Sequence, residues 1–234
     1  QLGERGVDCE LQEMANRLGV TVQDYAGEKP EQIIDESTPA LVRDSAKCIK
    51  CRRCIAVCSQ TQNVGALAAQ NRGYSTVIGP AFAQDLDSVV CVQCGQCAAV
   101  CPVGAITERS HIDSVWDALE NKEKHVVVQT APAIRAALGE CFGYEPGTRV
   151  TGKMVSSLRR LGFEAVFDTN FAADLTIIEE GNELLHRLTK AVKEGEDVAL
   201  PQFTSCSPGW IKYAEHFYPE ILPNISSCKS PQQM

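Results

Sequence analysis

No run of about 18 apolar residues, the minimum for a membrane-spanning helix, occurs anywhere in the chain. The opening residues, QLGERGVDCE, have neither the basic flank nor the apolar core of a signal peptide. These two absences lead us to expect a cytoplasmic protein with no membrane partner. Positive charge is also scarce: 22 Lys and Arg stand against 30 Asp and Glu, a formal net charge of -8. A general nucleic-acid binder needs a net basic face to displace counterions from phosphates, so that class is excluded, and anionic membranes are disfavoured for the same reason. Disorder is excluded as well, because 44% hydrophobic residues over 234 positions are enough for a real core.

Cysteine is plentiful, with 12 residues. In a reducing compartment such density points to metal binding or catalysis, with disulfides as the ordinary alternative. Eight of the cysteines fall in two runs, KCIKCRRCIAVCSQ from Lys47 and VCVQCGQCAAVCPV from Val90, which superpose position for position. The chain therefore carries an internal duplication. Each run has the spacing C-x2-C-x2-C-x3-C, and the second ends in Cys-Pro, as in two-cluster ferredoxins. Three thiolates spaced three residues apart on a tight loop reach three irons of one cube, while the fourth serves the other cube. The expected ligand sets are thus Cys48, Cys51, Cys54 and Cys101 for one [4Fe-4S] cluster and Cys91, Cys94, Cys97 and Cys58 for the second. Zinc is the competing reading, since paired C-x2-C motifs also build tetrahedral sites, but zinc has no use for a third evenly spaced thiolate in each loop.

Two neighbouring clusters form an electron path. The first loop carries Lys47, Lys50, Arg52 and Arg53, whereas the second is uncharged. Cations near the first cluster would favour its more negative reduced state and would attract an acidic redox partner; otherwise they are a solvated loop. Ahead of this region, CELQEMANRLGV reads as a short helix with Leu11, Met14, Ala15 and Leu18 on one face, and AGEKPEQIIDESTPALVRD reads as a linker.

Beyond His125 the pattern changes. HVVVQT and EAVFDT read as strands, and DVALPQFTS as a third. Between and after them APAIRAALGECFG, TGKMVSSLRRLGF, closed by Gly162, and FAADLTIIEEGNELLHRLTKAVKEG read as helices. Alternating strands and helices imply a parallel α/β layer, whose ligands sit beyond the carboxyl ends of the strands. Cys206, in FTSCSPGW, falls at such an end, where Pro208 suits the first turn of a helix. A thiolate is favoured there, so Cys206 is either reactive or metal-binding, or simply a packed thiol. Glu180 and Glu183 lie three apart on one helical face, as a proton path or a solvated acidic face would have them. The neighbouring Ile177, Ile178, Leu184 and Leu185 indicate a mostly buried helix, in which carboxyl pKa values rise.

The two repeats, followed by SHIDSVWDALENKEKHVVVQTAPAIRAALGE, TGKMVSSLRRLGFEAVFDTNFAADLTIIEE, FTSCSPGW and SSCKSPQQM, resemble an [FeFe] hydrogenase over nearly the whole chain. The resemblance implies reversible reduction of protons to hydrogen at an H-cluster, a [4Fe-4S] cube joined to a two-iron unit. Cys206 matches the family's proton donor, and Ser207 stands where the family anchors the cube with a second cysteine. Glu180, Glu183, Ser226 and Arg187 match its proton relay, while Pro132 and Gln232 resemble residues lining the two-iron unit. Cys9 resembles the end of an upstream cluster motif of one histidine and three cysteines. Cys141 and Cys228 are expected to be packing residues. The electron partner implied is ferredoxin or a flavin- and NAD(P)-binding subunit.

The expected fold class is α+β: an N-terminal helix and linker at 1–44, a two-cluster ferredoxin-like domain at 45–110, and the first α/β lobe of a catalytic domain at 111–234. Because the chain begins at Gln1 and Ser230–Pro231 look like a helix just starting, we expect a piece of a longer protein, with a complete H-cluster only in the parent. A non-catalytic electron-transfer, sensory or cluster-assembly protein on the same scaffold is the alternative.

Overall fold

The computed structural model describes residues 10–20, 27–28 and 31–234. Cys9, and with it the upstream cluster motif, lies outside the described residues. The chain divides into two compact units, Gln1–Arg109 and Ser110–Met234. No helix among the described residues is long and apolar enough to cross a membrane.

In the first unit, α1 (Glu10–Arg17) is followed by β1 (Ile34–Asp35), β2 (Leu41–Asp44), α2 (Arg53–Ala56), β3 (Ala68–Gln70), β4 (Val77–Gly79), α3 (Gln96–Ala99) and β5 (Ile106–Glu108). The helix expected from the periodicity of Met14 and Leu18 forms, with both side chains exposed. The stretch read as a linker is not structureless. It supplies β1 and β2, and β2 is the central strand of an antiparallel sheet in the order β1-β2-β5. Its burial alternates, Leu41 and Arg43 inward and Val42 and Asp44 less so, a strand pattern disguised by an arginine on the buried face. β3 and β4 form a separate antiparallel pair.

Leu41, Leu67, Leu86, Ala98 and Ile106 form a buried cluster in the core of this unit, and Cys54, Cys91, Cys97 and Cys101 pack against it. Buried Asp35 ties the sheet to the segment before the second cysteine run, accepting from the Ser37 hydroxyl at 2.7 Å and the Leu86 amide at 3.0 Å. Burial pushes its pKa up, but those donors, the Ser37 amide and Arg43 outweigh that and hold it below the usual carboxylate value.

The second unit contains α4 (Ile112–Glu120), β6 (Val127–Thr130), α5 (Ile134–Ala137), α6 (Thr151–Leu161), β7 (Ala165–Asp168), α7 (Thr169–Thr189) and α8 (Pro208–Phe217). β6 and β7 pair in parallel, from Val127↔Ala165 to Thr130↔Asp168. α6 ends at Gly162 in the left-handed conformation, as its sequence signals. Asp168 caps α7 through the Asn170 amide and pairs with Arg135 at 2.8 Å.

The third expected strand, DVALPQFTS, does not form; only Phe203 makes a parallel bridge, to Ile225. Pro201 has no amide to offer a ladder. The carbonyls of Ala199 and Pro201 are taken instead by Arg187 and Asn224 side chains, at 3.1 and 2.8 Å.

Candidate functional site

The duplication seen in the sequence is reproduced in the backbone. Lys50 and Gln93, at matching positions in the two runs, both have positive φ (58 and 55°), and so do Arg52 and Gly95 (65 and 76°). Left-handed residues inside each loop fold the chain back so that its cysteines face inward and some amides face sulfur: the Lys50 amide donates to Cys48 Sγ at 3.4 Å. After each left-handed residue a one-turn helix, α2 or α3, carries the third cysteine, Cys54 or Cys97. Cys58 follows α2 on a π-helical turn, Val57–Thr61, a local rewinding that re-aims a side chain.

Two cavities result. Cys48, Cys51, Cys54 and Cys101 line one, with about 440 Å³ of empty space. Cys58, Cys91, Cys94 and Cys97 line the other, with about 360 Å³. Each wall therefore takes three cysteines from one run and the fourth from the other. Burial, together with the neighbouring Cys48, Cys51 and Cys101, pushes the Cys54 thiol up to about 11. Burial, then Cys91, Cys94 and Cys58, pushes Cys97 up to about 12. Four thiolates in one pocket repel one another unless a cationic core lies between them, and a ferric-sulfide cube supplies that charge. The donor set therefore fits a [4Fe-4S] group. Among the described residues no three Cys, His, Asp or Glu side chains gather closely enough to hold a single metal ion. Zinc requires such a point-like site; a cube asks its thiolates to stand around a cavity.

In the second unit, Cys206 is exposed and Ser207 is the N-cap of α8, with Pro208 at its first turn and no capping bond from the serine side chain. Pro132 and Gln232 are exposed near the carboxyl end of β6, where the Gln129 side chain donates to the Gln232 carbonyl at 2.8 Å. Ser205, next to Cys206, donates from its hydroxyl to the Cys228 carbonyl at 2.7 Å.

The structure brings three of the expected relay residues together. Ser226 Oγ donates to Glu183 Oε2 at 2.6 Å, and Arg187 pairs with Glu183 Oε1 at 2.6 Å. Arg187 also donates to the carbonyls of Ala199, Pro223, Asn224 and Ile225. The expectation of a raised carboxyl pKa fails at Glu183. Burial raises it, but Ser226, Arg187 and the Ser227 amide overcome this and hold it below the ordinary value. Glu180 stands outside this network, with Oε1 buried and unpartnered. The helix bearing both is not mostly buried: Ile177, Ile178 and Leu185 are 69, 58 and 64% exposed. Of the two cysteines expected to pack, Cys141 is exposed, while Cys228 is half-buried with its thiol 3.9 Å from the Thr176 carbonyl. No motif marks Asp35 or Arg43; the parity of Arg43 with Leu41 in a four-residue run is the local sign of its burial.

Cysteine-lined cavities of this kind, built on a duplicated loop, define a dicluster iron-sulfur protein. The 4Fe-4S dicluster domain matches residues 47–105, and the iron only hydrogenase large subunit, C-terminal domain, matches residues 124–234. Residues 124–234 thus carry the C-terminal domain of an iron-only, or [FeFe], hydrogenase large subunit behind a dicluster domain, and the cofactors of the chain include [4Fe-4S] clusters. It is 52% identical to an NADP-reducing hydrogenase subunit of Solidesulfovibrio fructosivorans, over 97% of this chain and 39% of that one. It is 47% identical to an iron hydrogenase of Clostridium pasteurianum, over 87% of this chain and 34% of the relative. It is also 39% identical to a cytosolic Fe-S cluster assembly factor of Danio rerio, over 55% of this chain and 32% of the relative. The chain spans between 27 and 39% of the length of these and other curated relatives.

Proposed function

We propose that the chain is the electron-relay and partial catalytic region of an [FeFe] hydrogenase acting in the cytoplasm, serving the reversible reduction of protons to hydrogen in the full-length protein. The observation that carries this reading is the pair of cavities, each with three cysteines from one run and one from the other. In it, Cys48, Cys51, Cys54 and Cys101 hold one [4Fe-4S] cluster, and Cys91, Cys94, Cys97 and Cys58 hold the second. These groups supply one-electron storage when bound; the protein sets their spacing, exposure and hydrogen bonding. The second unit contributes Cys206 as proton donor, Pro132 and Gln232 as wall residues of an H-cluster, and Ser207 at its anchoring position. Glu180, Glu183 and Ser226 serve as the proton path. Held ionised by Arg187 and Ser226, Glu183 is a weak base that quickly gives up any proton it takes, so in such a path it serves as a transient carrier. Similarity to the NADP-reducing hydrogenase subunit supports a nicotinamide-linked partner subunit, with ferredoxin as the other candidate donor.

The test has two parts. Anaerobic reconstitution of the chain should yield two [4Fe-4S] clusters by iron content and EPR, and Cys101→Ser should perturb the cluster of the first run while sparing the second. Retention of both clusters unchanged in Cys101→Ser would refute the crossed assignment. The full-length parent should then evolve hydrogen from reduced viologen, and Cys206→Ala should lower that rate by at least 10-fold, in the range of a lost proton-transfer group.

A second reading, a non-catalytic cluster-assembly or sensory protein, is favoured by one feature. Ser207 offers a harder, less acidic oxygen where the family's anchor is a thiolate, a poor ligand for iron-sulfur groups. Similarity to the cluster assembly factor is compatible with it. No hydrogen evolution by the parent, with or without Ser207→Cys, would establish this reading over the first.

A further inference from the structure

The two cavities of the first unit differ in a way that loop composition does not predict. No charged side chain lines the cavity of Cys58, Cys91, Cys94 and Cys97. The cavity of Cys48, Cys51, Cys54 and Cys101 is lined by the exposed Arg52 and Arg53, by Asp44, whose carboxylate is taken up by the Gln32 side chain and the Ala46 amide, and by Arg43, which comes from β2 and is only 6% exposed. A buried guanidinium is costly unless its donors are used. Arg43 Nη1 donates to the Ile78 carbonyl at 3.1 Å, and Nη2 lies 3.7 Å from Asp35 Oδ2. Asp35 is meanwhile taken up by Ser37 and Leu86, so it neutralises Arg43 only in part. Arg43 Nε is buried with no partner at all.

The fold also makes room for this arrangement. A Cβ placed on Gly79 would come within 3.0 Å of Arg43 Nη1 and 3.2 Å of its Cζ, so any side chain there would crowd the guanidinium. A buried donor without a partner, in a cradle that a methyl group would fill, is poised toward something the cavity receives.

We propose that Arg43 is a potential-tuning residue: its Nε–H donates to a sulfur of the iron-sulfur group held by Cys48, Cys51, Cys54 and Cys101, making that group the stronger oxidant of the two. The proposal rests on the ligand assignment above. Reduction adds one negative charge to the group, and a buried cation and hydrogen-bond donor stabilise that charge far more than Arg52 or Arg53, which water and salt screen. One electron then leaves the reduced group held by Cys91, Cys94, Cys97 and Cys58, which returns to its oxidised state. The same electron reduces the group beside Arg43, with no proton transferred. The electron path has a built-in direction, set by a strand residue and not by the basic loop.

The test is an EPR-monitored redox titration of the whole chain, reconstituted anaerobically, with Cys54→Ser used to assign the signals. Arg43→Gln should leave both clusters in place and lower the reduction equilibrium constant of the assigned cluster about 10-fold, a shift of about 59 mV for one electron, without moving the other. Gly79→Ala, which crowds the guanidinium but keeps its charge, should shift the same signal in the same direction by less. It provides the readout if Arg43→Gln folds poorly. Both clusters present with unmoved potentials, or a shift confined to the other cluster, overturns the proposal. A wild-type chain that takes up no cluster overturns the ligand assignment first, and the tuning role with it.

Discussion

The Arg187 side chain joins Glu183 to four backbone carbonyls. Removing it would leave those carbonyls without this donor and the Glu183 carboxylate without its cation, so Arg187→Ala should cost about 2 kcal/mol of stability in chemical denaturation. The same cluster predicts a pH dependence. Because the folded pKa of Glu183 lies below its ordinary value of 4.5, its contribution is fully present above that value and lost as pH falls through the lower folded value. The stability difference between wild type and Glu183→Gln should therefore be constant near neutrality and shrink from about pH 4.5 downward, as thermal unfolding across pH would reveal.

At the scale of the element, the two cysteine loops share a backbone but not its ease. The left-handed residue before α3 is Gly95, and a Cβ there would meet no atom within 4 Å. Gly95→Ala thus incurs only the backbone penalty, and should destabilise the first unit by about 1 kcal/mol. Arg52, at the matching place before α2, already bears that penalty. Arg52→Gly should raise the unfolding midpoint while leaving the cluster content unchanged, and a fall in the midpoint would show that the arginine side chain holds the loop by some contact worth more than the strain. α7 illustrates the opposite relation between pattern and outcome. Its apolar residues indicate burial, yet Ile177, Ile178 and Leu185 are exposed, whereas the Glu183 and Thr176 side of the helix meets Ser226 and Cys228.

At the scale of the molecule, the two units depend on different sources of stability. In the first, four of the proposed cluster ligands pack directly against the buried cluster of Leu41, Leu67, Leu86, Ala98 and Ile106. Metal binding and packing are therefore coupled there, as in other domains that fold with their clusters. Stripping iron from the reconstituted chain with a chelator should abolish hydrogen-exchange protection in the β1-β2-β5 sheet while sparing β6, β7 and α6. Equal loss in both units would contradict this division.

Much of this was legible in the linear chain. The duplicated cysteine spacing, the cap at Gly162, the strands at 127–130 and 165–168 and the helix start at Pro208 are local signals, each carried by neighbouring residues. Periodicity and spacing are properties of a sequence, so they survive without the fold. What failed to show depended on partners distant in the chain. Arg43 turned inward because Asp35 and Ile78 wait for it there; the 199–203 segment gave its carbonyls to Arg187 and Asn224 instead of to a sheet; and Glu183 stayed charged because Ser226, 43 positions away, donates to it. The sequence by itself determined which chemistry the chain contains. Only the tertiary structure decided which charges are buried and what each one meets, because burial and hydrogen bonding are set by contacts that no local pattern encodes.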